Sequence, residues 1–280
     1  MAVLAAAAAV ATPTTAEAFS PYLVVPEPAV AEASPAYRYA NMTDGDAFAE
    51  LDRRRVLYSR LDPVPGVRAP IRLTGRLHGV NVHSALPPDQ RVTSIFEILD
   101  ARLALALDDF CALLERHDVD EVVHYTMYRP DVAAGHEGGP RAPTKSPDHG
   151  PRGQEPRQRP KAGTRVARRD PAATGLHPTT SAPPGTRHPA GLAVDVAMLH
   201  RRDGRWLSVQ KDFHGRVGVK TCGAGAPVPE SPDARELHAL VCESSELGLF
   251  TYVLTPDYNA AHADHFHMEI KPGVRWFLYH

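Results

Sequence analysis

The sequence predicts an α+β fold with a mainly antiparallel sheet and flanking helices. Three observations lead to this class. Short apolar runs of strand length recur along the chain, longer segments carry an apolar stripe at helical spacing, and the connections between most of them are short. Helices and strands mixed in this order are typical of α+β domains.

The composition bounds the architecture and the partners. A chain of 280 residues can form one large domain or two small ones. Its net charge of -2 argues against general nucleic-acid binding. The 27 prolines indicate that part of the chain is not packed. No apolar run reaches the length of a bilayer span, so we expect no stable membrane span.

The N-terminus, residues 1–18, reads as a signal peptide. An Ala/Val/Leu run at residues 2–11 precedes Ala16-Glu17-Ala18, which has the A-x-A pattern of a cleavage site. We therefore expect a secreted or periplasmic protein; the alternative is an Ala-rich disordered leader. Residues 19–64 then read as an N-terminal region, in which a Pro- and Ala-rich tether to about residue 40 precedes a short helix.

The strands of the expected domain, residues 65–280, are short and rich in β-forming residues. We expect one or two strands within 71–82, and further strands at 122–128, 192–199, 206–218 (with a turn), 250–254 and 265–270.

Two amphipathic helices accompany these strands. The first runs from a cap at Thr93 or Ser94 to about His117 and contains Asp100 and Arg102, which either bond to the domain body or form a surface pair. The second runs over about 234–246 and stops at a glycine.

The segment from 131 to 185 breaks the domain. Pro, Gly, Arg and Thr dominate it and large apolar residues nearly vanish, which predicts a disordered insertion. Its modest positive excess leaves open contact with an anionic polymer, but a solvated linker is the simpler interpretation.

The three cysteines fit an exported protein with one disulfide. Cys222 and Cys242 flank a Pro/Gly-rich loop and a short helix, and we expect them to pair. Cys111 lies in the first amphipathic helix, where a small buried apolar residue is expected.

Two distant stretches carry a candidate metal site. His188 and Asp195 flank Gly191, which permits a turn, and Asp195 lies within an apolar strand where an unpaired carboxylate is costly. In His265-Phe266-His267 the period of two places both imidazoles on one strand face. His188, Asp195 and one of these histidines would supply the three protein ligands of a catalytic zinc site. The alternative for each histidine alone is an ordinary core or surface residue.

These stretches resemble a family of zinc peptidases. The pattern H-x-x-G-x-A-x-D is matched by His188, Gly191, Ala193 and Asp195, and a later H-x-H by His265 and His267. The sequence thus resembles the superfamily of lysostaphin-like enzymes, D-Ala-D-Ala carboxypeptidases and the hedgehog domain. More narrowly, residues 65–280 outside the insertion resemble the extensin-like C-terminal domain family, with matching stretches at 128–130, 213–215 and 259–267.

The resemblance implies a role for each site residue. His188, Asp195 and His267 would bind Zn²⁺, and His265 would act as the base or stabilise developing charge. His262 falls where some peptidoglycan endopeptidases carry a further active-site histidine. The remaining implied residues are Arg129 and Thr186, which would bind substrate, and Asp264.

Two positions depart from the carboxypeptidase pattern. Thr186 stands where Ser is common, which keeps a hydroxyl, and Asp264 replaces the usual Glu. The shorter Asp264 favours a mechanism assisted by histidine. The leading hypothesis is therefore an exported zinc peptidase, a carboxypeptidase or endopeptidase, that acts on peptidoglycan peptides through metal-activated water. The alternative is a non-catalytic, zinc-containing module that binds the cell wall or has a structural role.

Overall fold

The computed structural model describes residues 22–130 and 187–280. Within these ranges the helices are α1 (Pro28–Ala33), α2 (Pro35–Ala40), α3 (Asp44–Arg53), α4 (Pro88–Arg91), α5 (Ala101–Arg116), α6 (Val209–Asp212) and α7 (Pro232–Glu246). The strands are β1 (Leu23–Val24), β2 (Tyr58–Arg60), β3 (Pro70–Leu73), β4 (Asn81–Ser84), β5 (Leu99–Asp100), β6 (Val119–His124), β7 (Ala193–Arg201), β8 (Trp206–Ser208), β9 (Tyr252–Leu254), β10 (Phe266–Glu269) and β11 (Phe277–Tyr279).

Two sheets organise these strands. The larger has the order β1-β11-β9-β10-β7-β6-β4, with β8 paired to β7. Only the β4–β6 and β9–β11 pairs among them are parallel. The smaller antiparallel sheet has the order β2-β3-β5. The predicted α+β class with a mainly antiparallel sheet and flanking helices is confirmed.

The core lies between the large sheet and α5. This helix buries twelve of its residues and contacts α2, α3, α7 and β6. Phe110 on α5 meets Phe250 edge-on, with ring centroids 5.7 Å apart. The buried face of β7 and β10 adds Val194, Val196 and Met268 to the same cluster. The strands that carry the candidate site are therefore held from behind by a continuous apolar core.

Three predicted boundaries are wrong. The strand expected within 206–218 ends at Ser208, and helix α6 follows it directly. The tether expected to run to about residue 40 instead contains α1 and α2, and Ala36, Tyr39 and Ala40 are buried against α5. The first long helix begins at Ala101, because the chain makes a short 3-10 turn capped by Ser94 and then strand β5 before Asp100 caps α5.

Other predictions are confirmed. The short helix expected in the N-terminal region is α3, and the second amphipathic helix, α7, stops at a glycine, Gly248, whose φ is 62°. Cys222 and Cys242 form a disulfide, and Cys111 is buried with a free thiol. None of the helices in the described ranges is long and apolar enough to cross a bilayer. The predictions for residues 1–18, for the insertion at 131–185 and for Thr186 lie outside the described residues.

Candidate metal centre

His188 is presented by a short turn that glycine makes possible. The turn His188–Ala190 follows Arg187, whose φ is 60°, and ends at Gly191, whose φ is 64° in the left-handed region. The Nδ1 of His188 lies 3.3 Å from the carbonyl oxygen of Met127 and can donate to it. This hydrogen bond leaves Nε2 as the nitrogen that faces the site.

Asp195 and His267 face each other across two neighbouring strands. Asp195 on β7 is the register partner of His267 on antiparallel β10. Their side chains point to the same face, and the Oδ1 of Asp195 lies 3.0 Å from the Nδ1 of His267. Sheet pairing thus brings together residues that are 72 positions apart in sequence.

The three side chains form a compact triangle of ligand atoms. The Nε2 of His188 lies 3.1 Å from the Oδ1 of Asp195 and 3.3 Å from the Nδ1 of His267. Two ligands of a tetrahedral zinc ion with bonds of about 2.0–2.1 Å lie about 3.3 Å apart. All three residues are buried, and the group could hold a metal ion. The structure brings together the three predicted ligands.

The charges of the site suit a cation. Burial lowers the pKa of His188, which favours the neutral imidazole that a metal requires. Burial alone would raise the pKa of Asp195, but the adjacent imidazoles of His188 and His267 hold it well below its usual range. For His267, burial opposes the charged form, but hydrogen bonds to Asp195 and Glu269 raise its pKa. The site therefore holds a buried carboxylate that attracts positive charge.

His265 stands beside this triangle with its own carboxylate partner. Its Nδ1 lies 2.7 Å from the Oδ1 of Asp264, and its Nε2 lies 3.5 Å from the Oδ1 of Asp195. The hydrogen bond from His265 holds the pKa of Asp264 below its usual range. An Nδ1–H that donates to Asp264 leaves Nε2 as an acceptor directed toward the ligand group.

His262 completes a row of histidines on the same side. Its ring centroid lies 5.2 Å from that of His265 and 5.8 Å from that of His267. Its Nδ1 lies 2.8 Å from the Oδ1 of Asn259, and Tyr258 meets its ring edge-on. The predicted residues His262, Asp264 and His265 thus lie together beside the ligands.

Arg129 also reaches the centre. Its Nη2 donates to the Oδ2 of Asp195 at 3.3 Å, and its side chain is 30% exposed. Its Nε is buried and has no hydrogen-bond partner among the residues the structure describes. Arg129 is therefore in place to meet both the ligand carboxylate and a molecule that enters from solvent.

Three residues near the site received no role from the sequence reasoning, although Asn259 belongs to the matched stretch 259–267. Glu269 lies 3.2 Å from the Nε2 of His267, Tyr125 packs edge-on against His265, and Asn259 bonds His262. Burial, with the nearby carboxylates of Asp264 and Asp195, raises the pKa of Tyr125, so this phenol stays protonated. The period-two pattern that selected His265 and His267 also selects Glu269 on the next same-face position; Tyr125 carries no comparable signal.

A separate cleft of about 410 Å³ lies away from the ligand triangle. It is lined by apolar residues and by several polar ones, among them His214, Arg216, His238 and Asp257. It contains none of the three ligands. Two of its lining residues connect it to the metal centre: Phe213 meets Phe266, which lies between His265 and His267, and Asp257 precedes Tyr258, whose ring meets that of His262.

Comparison with known proteins supports a family for the C-terminal part of the chain. Residues 180–277 match the model of the family described as Extensin-like protein C-terminus. The matched range contains His188, Asp195 and His267, as well as the row from His262 to His265; Arg129 lies outside it. No curated protein and no solved structure gives a significant match.

Proposed function

We propose that this chain is an exported zinc-dependent peptidase that cleaves peptide bonds in peptidoglycan. The observation that carries the proposal is the pairing of a three-ligand group with a base: His265 and its partner Asp264 lie directly beside the triangle of His188, Asp195 and His267. Three protein ligands are the set of a catalytic rather than a structural zinc site. The same arrangement is the reason for a more specific proposal, that the fold is that of the zinc peptidase group.

Different residues of the chain have different roles in the proposed amide hydrolysis. When bound, a zinc ion supplies a Lewis acid that polarises a carbonyl and lowers the pKa of water. His265 accepts a proton from the attacking water at Nε2, while Asp264 accepts a hydrogen bond from its Nδ1–H. The imidazolium then donates that proton to the amine nitrogen as the C–N bond of the peptide breaks. Arg129 orients an anionic or carbonyl group of the substrate. His262 flanks the same space, and Thr186 would add a hydroxyl.

The disulfide supports the proposed export and, through it, the choice of substrate class. A disulfide between Cys222 and Cys242 is stable in oxidising compartments such as the periplasm or the extracellular space. A peptidase in those compartments meets the cell wall. Peptidoglycan peptides are therefore the substrate to test first.

The test is release of peptide fragments from purified peptidoglycan by zinc-loaded protein, with and without a chelator. We expect His188→Ala to lose both zinc and activity. His265→Ala should keep its zinc and lose turnover by about 10²–10⁴-fold. His117→Ala removes an imidazole that bonds Glu243 outside the site, and should match the unchanged protein. Full turnover by His265→Ala would refute the assigned base.

A second candidate is a zinc-containing module that binds the cell wall without cleaving it. The burial of all three ligands, each at most 4% exposed, favours it, because structural zinc sites are closed. Sedimentation with insoluble peptidoglycan separates the two candidates. Co-sedimentation of zinc-loaded protein without release of any fragment would exclude the peptidase and favour the module.

A further inference from the structure

We propose that Glu269 is a positioning residue of the metal centre, which fixes the ring of His267 and ties it to the segment that carries His188. The inference rests on the proposed function in so far as it concerns the same metal centre. It adds a residue that none of the preceding roles includes. The geometry on which it depends lies on the side of His267 opposite Asp195.

Glu269 is placed for this role by strand geometry. It lies two residues after His267 on β10, on the same face, and is only 1% exposed. Its Oε2 is 3.2 Å from the Nε2 of His267 and 3.0 Å from the Nε of Arg187. One carboxylate oxygen therefore joins a ligand to an arginine 82 residues away in sequence.

The hydrogen bond to His267 selects the nitrogen that faces the site. A neutral imidazole carries its proton on one nitrogen and offers the other as a ligand. Because the carboxylate of Glu269 can only accept a hydrogen bond, Nε2 carries the proton and donates it to that bond, and the Nδ1 of His267 is left for the triangle with His188 and Asp195. Without that acceptor the ring could flip or change tautomer, and the ligand atom would move away.

The bond to Arg187 extends the effect to a second ligand. Arg187 immediately precedes His188 and has a φ of 60°, an uncommon conformation for a residue with a Cβ. Its side chain reaches Glu269, while the backbone of the same region is held by the Ile270 N–H bond to the Leu192 carbonyl at 3.1 Å. Glu269 therefore fixes His267 directly and His188 through Arg187.

The same contacts would also serve a purely structural ion pair, because a buried carboxylate must be paired wherever it lies. The two roles differ in one respect. A structural pair affects the free energy of unfolding alone, whereas a positioning residue also affects the affinity and geometry of the bound metal. Partners of this kind typically change metal affinity by about 10–100-fold.

The experiment compares Glu269→Ala and Glu269→Gln with Glu97→Gln, a change at another buried glutamate, which bonds the Ser84 backbone and lies near His124. Zinc affinity is measured by chelator competition, and ligand geometry by the visible absorption of the Co²⁺-loaded protein. We expect Glu269→Ala to bind zinc about 10–100-fold more weakly with an altered Co²⁺ spectrum. Glu269→Gln keeps an acceptor oxygen, and its zinc affinity should fall less than that of Glu269→Ala. Glu97→Gln should bind both metals as the unchanged protein does.

Unchanged zinc affinity and Co²⁺ spectrum in both Glu269 variants would overturn the proposal. If neither variant folds, ¹H–¹⁵N correlation of the His267 imidazole in the zinc-loaded parent chain gives the answer. Protonated Nε2 with unprotonated Nδ1 supports the assigned orientation, and the reverse pattern overturns it.

The outcome is separable from that of the peptidase proposal. A chain that needs Glu269 for tight zinc binding but releases nothing from peptidoglycan would refute the peptidase and leave this inference standing. A chain that cleaves peptidoglycan while Glu269→Ala binds zinc normally would do the opposite.

Discussion

At the scale of single residues, Gly191 shows how closely the turn that carries His188 is packed. It ends the turn that presents His188 with a φ of 64°, and its carbonyl accepts the backbone N–H of Asp100 at 2.9 Å. A Cβ at this position would lie 2.8 Å from the backbone nitrogen of Asp100. Both the conformation and the space therefore require glycine.

We expect Gly191→Ala to lower the free energy of unfolding by about 2–5 kcal/mol, the sum of left-handed strain and backbone overlap. Zinc affinity should fall as well, because the loop carries His188. Urea unfolding and chelator competition measure the two effects.

Gly204→Ala is the matched control. Gly204 also has a positive φ, 89°, but nothing lies within 4 Å of a Cβ built there. Its substitution should cost about 1 kcal/mol and leave zinc affinity unchanged. Equal losses of stability in the two variants would contradict the account of close packing at Gly191.

The sequence was a good guide to the ligands and to the neighbouring row from His262 to His265, and a poor guide to neighbours supplied by other strands. His188, Asp195 and the same-face pair His265 and His267 carry a spacing that strand geometry converts directly into proximity. Tyr125, which follows β6, reaches His265, which precedes β10, because β7 pairs with both strands. Nothing in the local sequence of Tyr125 encodes that neighbour.

At the scale of secondary-structure elements, the start of α5 is set by a buried ion pair. Asp100 accepts the backbone N–H of Arg102 at 3.0 Å and also bonds its guanidinium, with both side chains at most 2% exposed. Asp100 further accepts the backbone N–H of Ala69, and Arg102 donates to the Ala40 carbonyl. The pair thus bonds to the domain body, one of the two alternatives that the sequence left open.

The boundaries of this region show why propensity alone misplaced the helix. Ile95, Ile98 and Leu99 fit the apolar stripe of a helix that begins near Ser94. Strand β5 pairs with β3 instead, and Asp100 supplies the cap. The pairing of β5 with β3 thus prevailed over the local helical pattern. In the same way, packing against α5 orders α2 within the segment that was expected to be a tether.

We expect Asp100→Ala to lower the free energy of unfolding by about 3–5 kcal/mol, because it leaves Arg102 charged and unpaired in the interior. Ser231→Ala removes the single side-chain cap of α7, a hydrogen bond to the Ala234 N–H, and should cost only about 1 kcal/mol. Chemical denaturation of both variants measures the difference. Similar losses in the two would show that the ion pair adds nothing beyond an ordinary cap.

At the scale of the whole molecule, the large sheet is what turns two sequence motifs into one site. The antiparallel register of β7 and β10 sets Asp195 opposite His267, and the 3-10 turn before β7 adds His188. The α+β class follows from composition and periodicity. The strand order does not, because β4 and β6 pair in parallel although α4, β5 and α5 separate them in sequence, and β9 lies between β10 and β11.

The acid stability of the fold gives a final prediction, centred on Glu97. Burial alone would raise the pKa of Glu97, but His124 and the Ser84 hydrogen bond lower it to about 2 from 4.5. Burial lowers the pKa of Arg72 on β3, and the charge of Glu97 opposes that shift, so the two groups also interact. Since the folded pKa lies below the unfolded one, the stabilisation is complete above pH 4.5 and is lost as the pH falls toward 2.

We therefore expect the difference in unfolding free energy between the parent chain and Glu97→Gln to shrink by on the order of 1–3 kcal/mol over that interval. Urea unfolding at a series of pH values, with chelator present throughout so that acid release of metal does not contribute, measures this difference. Glu246→Gln, at an exposed position at the end of α7, serves as the control and should follow the parent curve. A difference between the parent and Glu97→Gln that stays constant with pH would mean that the Glu97 charge does not contribute to folding, and the acid sensitivity would then have to come from other carboxylates such as Asp195.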